Sequence, residues 1–266
     1  MARQKSIIKL QGTLQGINFY KREGEFLARE NTGPDRERIL KDPKFKRTRE
    51  NMNEFGAAAF LGKELRSGWT ALFKQMGDSR MSARLTGVMR KIINAGRGPR
   101  GQRSFDLMEQ RRHLEGFELN RNQALASVFY PTYALPETDA NRNIVTWELP
   151  AFSIEEGIQA PEGATHYKLI LASKVFGDYE YEALSKEYQL VVPDATASMQ
   201  KAETDLIALT TGTSEATTLQ LEHGFGEGLP EGLGLVNAIG IVFYQVIGED
   251  AYVLESDNAM QLVNVL

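Results

Sequence analysis

The three histidines of this 266-residue chain are the residues best suited to acid–base chemistry or to binding a transition metal. They are His113, His166 and His223, and each falls in a different predicted element. No two of them have the i, i+4 spacing that places zinc ligands on one face of a helix. The chain contains no cysteine, which excludes disulfides, thiolate metal sites and cysteine nucleophiles. We interpret each histidine as an isolated surface or core side chain.

Acidic clusters give a second chemical signal, because calcium prefers carboxylate oxygens as ligands. The clusters are Asp178–Glu182, Glu155–Glu156 and Glu249–Asp250, and none has the spacing of a known calcium loop. We interpret them as solvated surface, so we predict no cofactor, with calcium as a weak alternative. Glycine-rich residues 224–228 and 232–234 lie among predicted strands, which indicates turns rather than phosphate-binding loops. We expect a protein that is not an enzyme.

Charge is unevenly distributed along the chain. Residues 1–115 contain 25 Lys and Arg against 13 Asp and Glu, a net charge of +12, whereas residues 116–266 contain 6 against 22, a net charge of −16. A molecule with a basic part and an acidic part attracts copies of itself head to tail. This asymmetry favours an assembly protein.

Residues 1–34 are predicted to form an N-terminal β-hairpin arm. Apolar residues fall at nearly alternating positions, and Arg22–Glu25 has the composition of a hairpin turn. A hairpin alone is marginal in water, so it packs either on a sheet of its own chain or on a neighbouring copy by strand exchange. The residues predicted to form the exchanged strands are Ile8, Leu10, Leu14, Ile17 and Phe19.

Residues 35–115 are predicted to form a basic helical region. Asp42 and Pro43 have the types expected at a helix start, and an apolar stripe then runs to Met76 with a break near Ser67–Gly68. A second helix is expected from after Asp78–Ser79 to a glycine stop at Gly96, which would complete a helical hairpin. The glycine- and arginine-rich loop 95–103 is expected to be flexible.

Residues 116–266 are predicted to form an acidic antiparallel β-sandwich. Short apolar runs are separated by Pro, Gly and Asp clusters, and an early strand contains Trp147, a pattern typical of immunoglobulin-like sandwiches. The predicted fold class is therefore α+β, with an N-terminal β-hairpin, a helical hairpin and a C-terminal immunoglobulin-like sandwich. The predicted strands cover residues 144–149, 167–172, 188–192, 206–209, 218–221, 235–244, 251–254 and 260–266.

These features predict a self-assembling structural protein, the subunit of a filament, tube or shell built by head-to-tail contacts between copies. The arginines predicted to supply the basic side of the contact are Arg47, Arg49, Arg80, Arg84, Arg97 and Arg100. The acidic side is predicted to comprise Glu155, Glu156, Asp178, Glu180 and Glu182. The sequence does not determine which residue pairs with which.

Two other functions stay open. The basic helices could hold nucleic acid, as in a phage-type or nucleoid-associated protein, although their aromatic residues fall on the apolar stripe and not among the arginines. An adhesive or glycan-binding sandwich is the third reading, with exposed tyrosines as stacking platforms. Its candidate residues are Tyr130, Tyr133, Tyr179 and Tyr181.

The sequence has no run of about 18 apolar residues, so we predict no membrane span. Its first residues alternate Ile and Lys rather than forming an apolar signal core, so we expect no signal peptide and synthesis in the cytoplasm. An assembly of this kind acts in the cell or is released as part of an extracellular assembly or a virion.

The first 21 residues, MARQKSIIKLQGTLQGINFYK, are followed by Leu27–Glu30 and Arg47–Gly56. Together they resemble a family of uncharacterised proteins from Bacteroidota-type bacteria that share the pattern MARQKxIIKLxGTxxGIxFYK. The resemblance runs the length of the chain, through Ile144–Trp147 and Phe243–Gln245. It implies a shared architecture and a bacterial setting, and it implies no activity or site residues.

Overall fold

The computed structural model describes residues 2–30, 33–193, 198–254 and 257–266. The chain divides into two compact units, which we call the N-terminal unit (residues 1–49) and the C-terminal unit (residues 50–266). The units differ from the three predicted segments, and the reason lies in how the helices pack, described below.

The N-terminal unit contains an antiparallel sheet with the strand order β1-β4-β3-β2. Gln15–Gly16 and Glu23–Gly24 join successive strands, and all four residues have positive φ, as in the two-residue turns that match strand twist. Two of the predicted strand residues, Ile8 and Leu10, lie outside the strands, between β1 and β2. The strands are β1 (Ala2–Arg3), β2 (Gly12–Leu14), β3 (Ile17–Arg22) and β4 (Glu25–Glu30).

A short helical segment follows the sheet in the N-terminal unit. The helix α1 (Arg36–Lys41) is capped by Asp35, whose carboxylate accepts from the Arg38 N–H at 2.7 Å. Asp42 caps the next turn in the same way, at the position where the sequence predicts a helix start. Arg49 then donates to the carbonyl oxygens of Ile39 and Asp42, at 2.7 and 2.9 Å, which ties the two turns together.

Glycines lie just after the ends of the longer helices of the C-terminal unit. Gly68, with φ of +85°, separates the first two helices at the predicted break, and Gly96 follows the third, donating to Ile92 and Ile93. The helices are α2 (Lys46–Arg66, which begins in the N-terminal unit), α3 (Thr70–Met76), α4 (Met81–Ala95), α5 (Leu107–Gln110) and α6 (Ile154–Gly157).

The strands of the C-terminal unit are all antiparallel to their partners and form three sheets. They are β5 (Phe117–Glu118), β6 (Glu137–Thr138), β7 (Ile144–Leu149), β8 (His166–Gly177), β9 (Tyr179–Glu182), β10 (Glu187–Leu190), β11 (Met199–Glu203), β12 (Ile207–Ala208), β13 (Thr217–Glu222), β14 (Leu233–Ile247), β15 (Asp250–Val253) and β16 (Ala259–Val265). The large sheet has the order β11-β8-β14-β16-β5, with β12 also paired to β8 and β15 to β14. The small sheet has the order β13-β7-β6, and β9 and β10 pair with each other.

The large sheet is buried on both faces. One face packs against the helices, where Leu61 and Met89 share a core with Ala172 and Val236. The other face packs against the small sheet, where Trp147 shares a second core with residues such as Leu171 of β8. The central strands β8 and β14 are therefore buried along most of their length rather than at alternate residues.

The helices and the large sheet thus belong to one folded body, and the predicted boundary at residues 115 and 116 has no counterpart in the packing. The coarse prediction of a mixed helix and strand chain with several antiparallel sheets is confirmed.

Lys174 lies on β8 and faces the helices, although it is almost fully buried. Its ammonium donates to the Glu64 carbonyl at 2.5 Å, to the Ser67 hydroxyl at 2.9 Å and to the Ser67 carbonyl. Burial lowers the pKa of Lys174 to about 8. A cation at the carbonyl end of a helix is favourable, so this side chain fixes the end of α2 on the large sheet.

The glycine- and arginine-rich loop is attached to α2, which corrects the expectation of flexibility. The buried carboxylate of Glu54 accepts from the Gly101 N–H at 2.8 Å and from the Arg103 guanidinium at 2.8 and 3.0 Å. Burial raises the pKa of Glu54, but these hydrogen bonds outweigh it and leave the pKa below its ordinary value. Gly101 has φ of +91°, and a Cβ there would lie 3.0 Å from the Glu50 Cα, so the loop requires glycine.

Replacing Glu54 by Gln should lower the free energy of unfolding of the C-terminal unit by about 3 kcal/mol, because it removes one partner of a buried ion pair. Urea unfolding followed by tryptophan fluorescence measures this, since both tryptophans, Trp69 and Trp147, are buried in that unit. Trypsin should also cut the variant faster after Arg97, Arg100 or Arg103.

Glu109→Gln is the matched control, because it makes the same chemical change on an exposed carboxylate 3.4 Å from Arg97. An exposed pair contributes about 1 kcal/mol or less, so this variant should unfold like the wild type. Equal stability of the two variants would contradict the role given to Glu54.

Candidate functional site

A groove runs along the exposed side of α2 in the C-terminal unit, and we call it the α2 groove. Its volume is about 420 Å³, within the range of roughly 300–1,000 Å³ typical of ligand pockets. One wall is the helix and the other is the β9-β10 hairpin. The lining residues are Met52, Asn53, Gly56, Ala57 and Phe60 on the helix, and Tyr181, Lys186, Glu187 and Tyr188 on the hairpin.

The hairpin wall of the groove is held in place by hydrogen bonds and ring contacts. The Tyr188 hydroxyl donates to the Arg103 carbonyl at 2.8 Å, and burial raises the pKa of Tyr188 to about 12. The Tyr181 and Tyr188 rings meet edge to face with centroids 5.6 Å apart. On the helix side, Phe60 meets the Tyr179 ring in the same way at 6.0 Å. The groove is therefore a formed surface and not a gap between loose segments.

Gly56 forms the open part of the groove on α2. A Cβ built at this position would meet no atom within 4 Å. A glycine in a helix interior lowers the stability of the helix by about 1 kcal/mol relative to alanine. Helix stability therefore does not explain why residue 56 is glycine. Its neighbours Met52 and Phe60 are 51% and 41% exposed, which leaves apolar surface on both sides of bare backbone. Such a place allows the backbone of a ligand to approach closely.

The N-terminal unit exposes apolar side chains at a loop tip. Ile7 is fully exposed and Ile8 is 74% exposed, between Lys5 and Lys9, and we call residues 5–9 the isoleucine loop. Gln4 closes this loop, since its side-chain amide donates to the Leu10 carbonyl at 3.1 Å and accepts from the Leu10 N–H at 2.8 Å.

The rest of the N-terminal unit has almost no core. Leu27 is the one buried apolar side chain among its described residues, 2–30 and 33–49. Leu10, Leu14 and Ile17 are 45%, 60% and 42% exposed. Phe19, the last of the predicted strand residues, is half-buried in β3.

The two units have net charges of opposite sign. Residues 1–49 contain 13 Lys and Arg against 6 Asp and Glu, a net charge of +7, and residues 50–266 contain 18 against 29, a net charge of −11. The basic residues of α4 belong to the acidic unit, so the separation of charge is smaller than the sequence division at residue 115 indicates.

The predicted basic residues have different surroundings. Arg84 is committed within its own chain, because it donates to Asp78 at 2.6 Å and to the carbonyls of Glu118 and Leu119 at 2.8 Å. Arg97 pairs with Asp106 and Glu109. The remaining predicted residues are Arg49, which donates to the carbonyls of Ile39 and Asp42, Arg100, which donates to Asn51 at 2.7 Å, and Arg47 and Arg80, which are exposed.

The predicted acidic residues also divide into two groups. Asp178 accepts from the Leu107 N–H at 2.6 Å, and burial, together with the charges of Asp106 and Glu109, raises its pKa. The charge of Arg97 opposes that rise in pKa, so one predicted basic residue and one predicted acidic residue interact electrostatically within a single chain. The remaining acidic residues are Glu155 and Glu156 in the first turn of α6, and Glu180 and Glu182 on β9.

The tyrosines proposed as sugar-stacking platforms are mostly packed. Tyr179 is 8% exposed, and Tyr133 contacts the Trp147 ring edge to face at 5.5 Å. Tyr181 lines the α2 groove beside Tyr188. Tyr130 alone of the four is about half exposed, and its hydroxyl donates to the Ser127 carbonyl. The structure does not bring these rings together on one surface.

A serine–histidine pair lies between the two sheets, and the sequence analysis missed it. His223 Nε2 is 2.9 Å from the Ser173 hydroxyl, and its Nδ1 is 3.2 Å from the Ser198 hydroxyl. The spacing is that of a nucleophile and its base, but Ser173 is fully buried and no carboxylate occupies the third position. The three residues are far apart in sequence, so no linear motif could reveal them.

Within the described residues, no group of three or more His, Cys, Asp or Glu side chains could hold a metal ion. In that same part of the chain, no helix is both long enough and apolar enough to cross a membrane. No family model matches the chain, and no curated protein or solved structure is significantly similar to it. The resemblance to proteins of Bacteroidota-type bacteria therefore stays a prediction.

The surroundings of His223 predict an acid-sensitive C-terminal unit. Burial lowers the pKa of His223 from 6.5 to about 4, so the unfolded chain binds a proton at pH 5 that the folded chain does not. Between pH 7.5 and pH 5 the free energy of unfolding should fall by roughly 2 kcal/mol from this residue alone. Urea titrations at the two pH values, read by tryptophan fluorescence, measure the change.

His223→Gln is the control, since glutamine keeps a donor and an acceptor but does not titrate. Carboxyl groups whose pKa is raised by burial, such as Asp178, titrate in both proteins and cancel in the comparison. A variant with the same loss of stability between pH 7.5 and pH 5 as the wild type would show that His223 is not the group responsible.

Proposed function

We propose that this chain is a self-assembling structural protein, the subunit of a filament, tube or shell in which the N-terminal unit of one copy contacts the C-terminal unit of the next. The observation that carries the proposal is an N-terminal unit that exposes Ile7, Ile8, Leu14 and Ile17 and buries one apolar side chain, Leu27, among its described residues. A small sheet with so little buried apolar surface gains little stability from its own packing. Contact with another copy would supply the missing partner.

Burial of the exposed side chains gives such a contact its driving force. Fully burying one Ile or Leu side chain stabilises by about 1.5–3 kcal/mol, and Ile7, Ile8, Leu10, Leu14 and Ile17 are all exposed. The strands β1 and β2 are the edges of this sheet, so addition of a strand from another copy is also part of the proposal.

Charge supports a head-to-tail arrangement. A net charge of +7 on the N-terminal unit and −11 on the C-terminal unit brings unlike units of two copies together and keeps like units apart. A contact of this kind between two different surfaces leaves one of each surface free at the ends, so it propagates unless a ring closes. We extend the proposal to an immunoglobulin-like sandwich in the C-terminal unit, supported by Trp147 in the core between the two sheets.

Nucleic-acid binding is the second candidate, favoured by the positive charge of the N-terminal unit. Purified protein that carries nucleic acid has a raised ratio of absorbance at 260 nm to that at 280 nm, and the binding weakens steeply with salt. A protein that assembles after nuclease treatment, with no such absorbance, favours the structural function.

Replacing Leu14 and Ile17 together by Gln should raise the protein concentration needed for assembly by at least about tenfold, because roughly 1.4 kcal/mol of lost burial corresponds to a factor of ten. These residues are register partners on β2 and β3, and neither substitution changes the net charge. Sedimentation velocity and negative-stain electron microscopy of the nuclease-treated protein, over a series of concentrations, measure the threshold.

Thr13→Gln is the matched control, since Thr13 is an exposed residue of the same strand with little apolar surface. It should assemble like the wild type. A wild-type protein that stays monomeric at every concentration and salt level would overturn the proposed function.

A further inference from the structure

We infer that the isoleucine loop of one copy inserts into the α2 groove of another copy. This inference rests on the proposed self-assembly and adds to it the two surfaces that meet. The loop presents Ile7 and Ile8 at its tip. The groove is a preformed recess whose lining combines Met52, Phe60 and the two tyrosines of the hairpin with the polar residues Asn53, Lys186 and Glu187.

The two surfaces match in polarity. Ile7 and Ile8 are 100% and 74% exposed, so the described part of the chain leaves them largely uncovered. The groove is bordered by partly exposed apolar side chains, 51% for Met52 and 41% for Phe60, around the bare backbone of Gly56. An isoleucine placed over Gly56 would cover its own apolar surface and that of the groove at the same time. The glycine leaves the room that such a close approach needs.

The charges beside the two surfaces are complementary. Lys5 and Lys9 flank the isoleucines. On the hairpin wall, Glu182 and Glu187 lie directly opposite each other in the strand register, and together with Lys186, which also lines the groove, they leave a net charge of −1. Two like charges in directly opposed positions disfavour a hairpin, and an approaching cation relieves the repulsion. This favours a basic segment as occupant, and a copy of this chain provides one.

The loop is held in shape before it binds. The two hydrogen bonds between Gln4 and Leu10 close it, and Lys9 donates to the Gln4 carbonyl at 2.5 Å. Because the loop is already closed, less conformational entropy is lost on binding, which strengthens a contact of limited area.

Cross-linking tests the contact directly, because the chain has no cysteine of its own. Ile7→Cys and Gly56→Cys are made as separate full-length proteins, mixed in equal amounts under assembly conditions, and treated with a short bismaleimide. A covalent dimer should form at least about tenfold faster than in a mixture of Ile7→Cys with Gly87→Cys. Gly87 is the matched control, since it also lies in a helix, α4, and faces open space.

The double variant Ile7→Cys, Gly56→Cys shows whether the contact forms between copies. If it reacts to a cross-linked monomer as fast when dilute as when concentrated, the loop reaches the groove of its own chain and the inference is overturned. Cross-linked chains whose yield rises with protein concentration support it.

Filling the groove gives an independent test. Gly56→Leu should raise the concentration needed for assembly by about tenfold or more, whereas Gly87→Leu should leave it unchanged, and both substitutions improve helix propensity. Suppose that the wild type assembles, but Gly56→Cys cross-links no faster than Gly87→Cys and Gly56→Leu does not raise the concentration needed for assembly. The loop-to-groove contact is then wrong, and self-assembly stands. If the wild type does not assemble, both the inference and the proposed function are wrong.

Discussion

The large sheet is covered on both faces, so a polar side chain on its central strands must find its partners inside the protein. On the helix face of β8, Lys174 meets the carbonyl end of α2. On the opposite face, the next residue, Ser173, meets His223. Adjacent residues of one strand thus hold the helical layer on one side and the small-sheet side on the other. A strand with these two polar residues fits only one position between the layers, so hydrogen bonding sets the register that apolar packing alone would leave less defined.

The N-terminal unit presents the reverse situation. Its strands are well formed by their turns, yet Leu14 and Ile17 are exposed, and its described residues include one buried apolar side chain, Leu27. Within a single chain, the C-terminal unit buries apolar side chains on both faces of its large sheet, whereas the N-terminal unit leaves apolar side chains exposed. The surplus lies on a basic unit, and the C-terminal unit is acidic. Hydrophobic and electrostatic terms therefore both favour contact between unlike units of different copies.

Local structure followed from the sequence wherever neighbours in the chain determine it. The turn at Glu23–Gly24, the helix break at Gly68 and the stop at Gly96 each depend on a glycine or a short polar motif, and the structure has all three. Contacts between distant residues were not predictable in this way. Glu54 meets Arg103 across 49 residues, and His223 meets Ser173 across 50.

One long-range feature did leave a signal. The apolar runs Leu169–Ala172 in β8 and Ala238–Phe243 in β14 are typical of strands buried on both faces. They indicate that another layer must cover the sheet, in addition to the partner sheet of the predicted sandwich. The helices are the elements in this chain that provide it. The prediction of interface residues was the least accurate, because it placed charged residues on the surface by their type alone. Arg84 and Asp178 instead make hydrogen bonds to backbone groups of their own chain.

The strand order of the two units has a consequence for the kinetics of folding. The strands β2, β3 and β4 are joined by two-residue turns, whereas in the large sheet Phe117 pairs with Leu262, and Tyr188 in the groove wall depends on Arg103. Local contacts form in microseconds to milliseconds and distant ones far more slowly, because long loops must close first. The turns of the N-terminal sheet therefore form before the C-terminal unit is complete. In the proposed assembly, a mature copy would then supply the contact that stabilises the sheet of a new copy, and growth would run from old subunits to young ones.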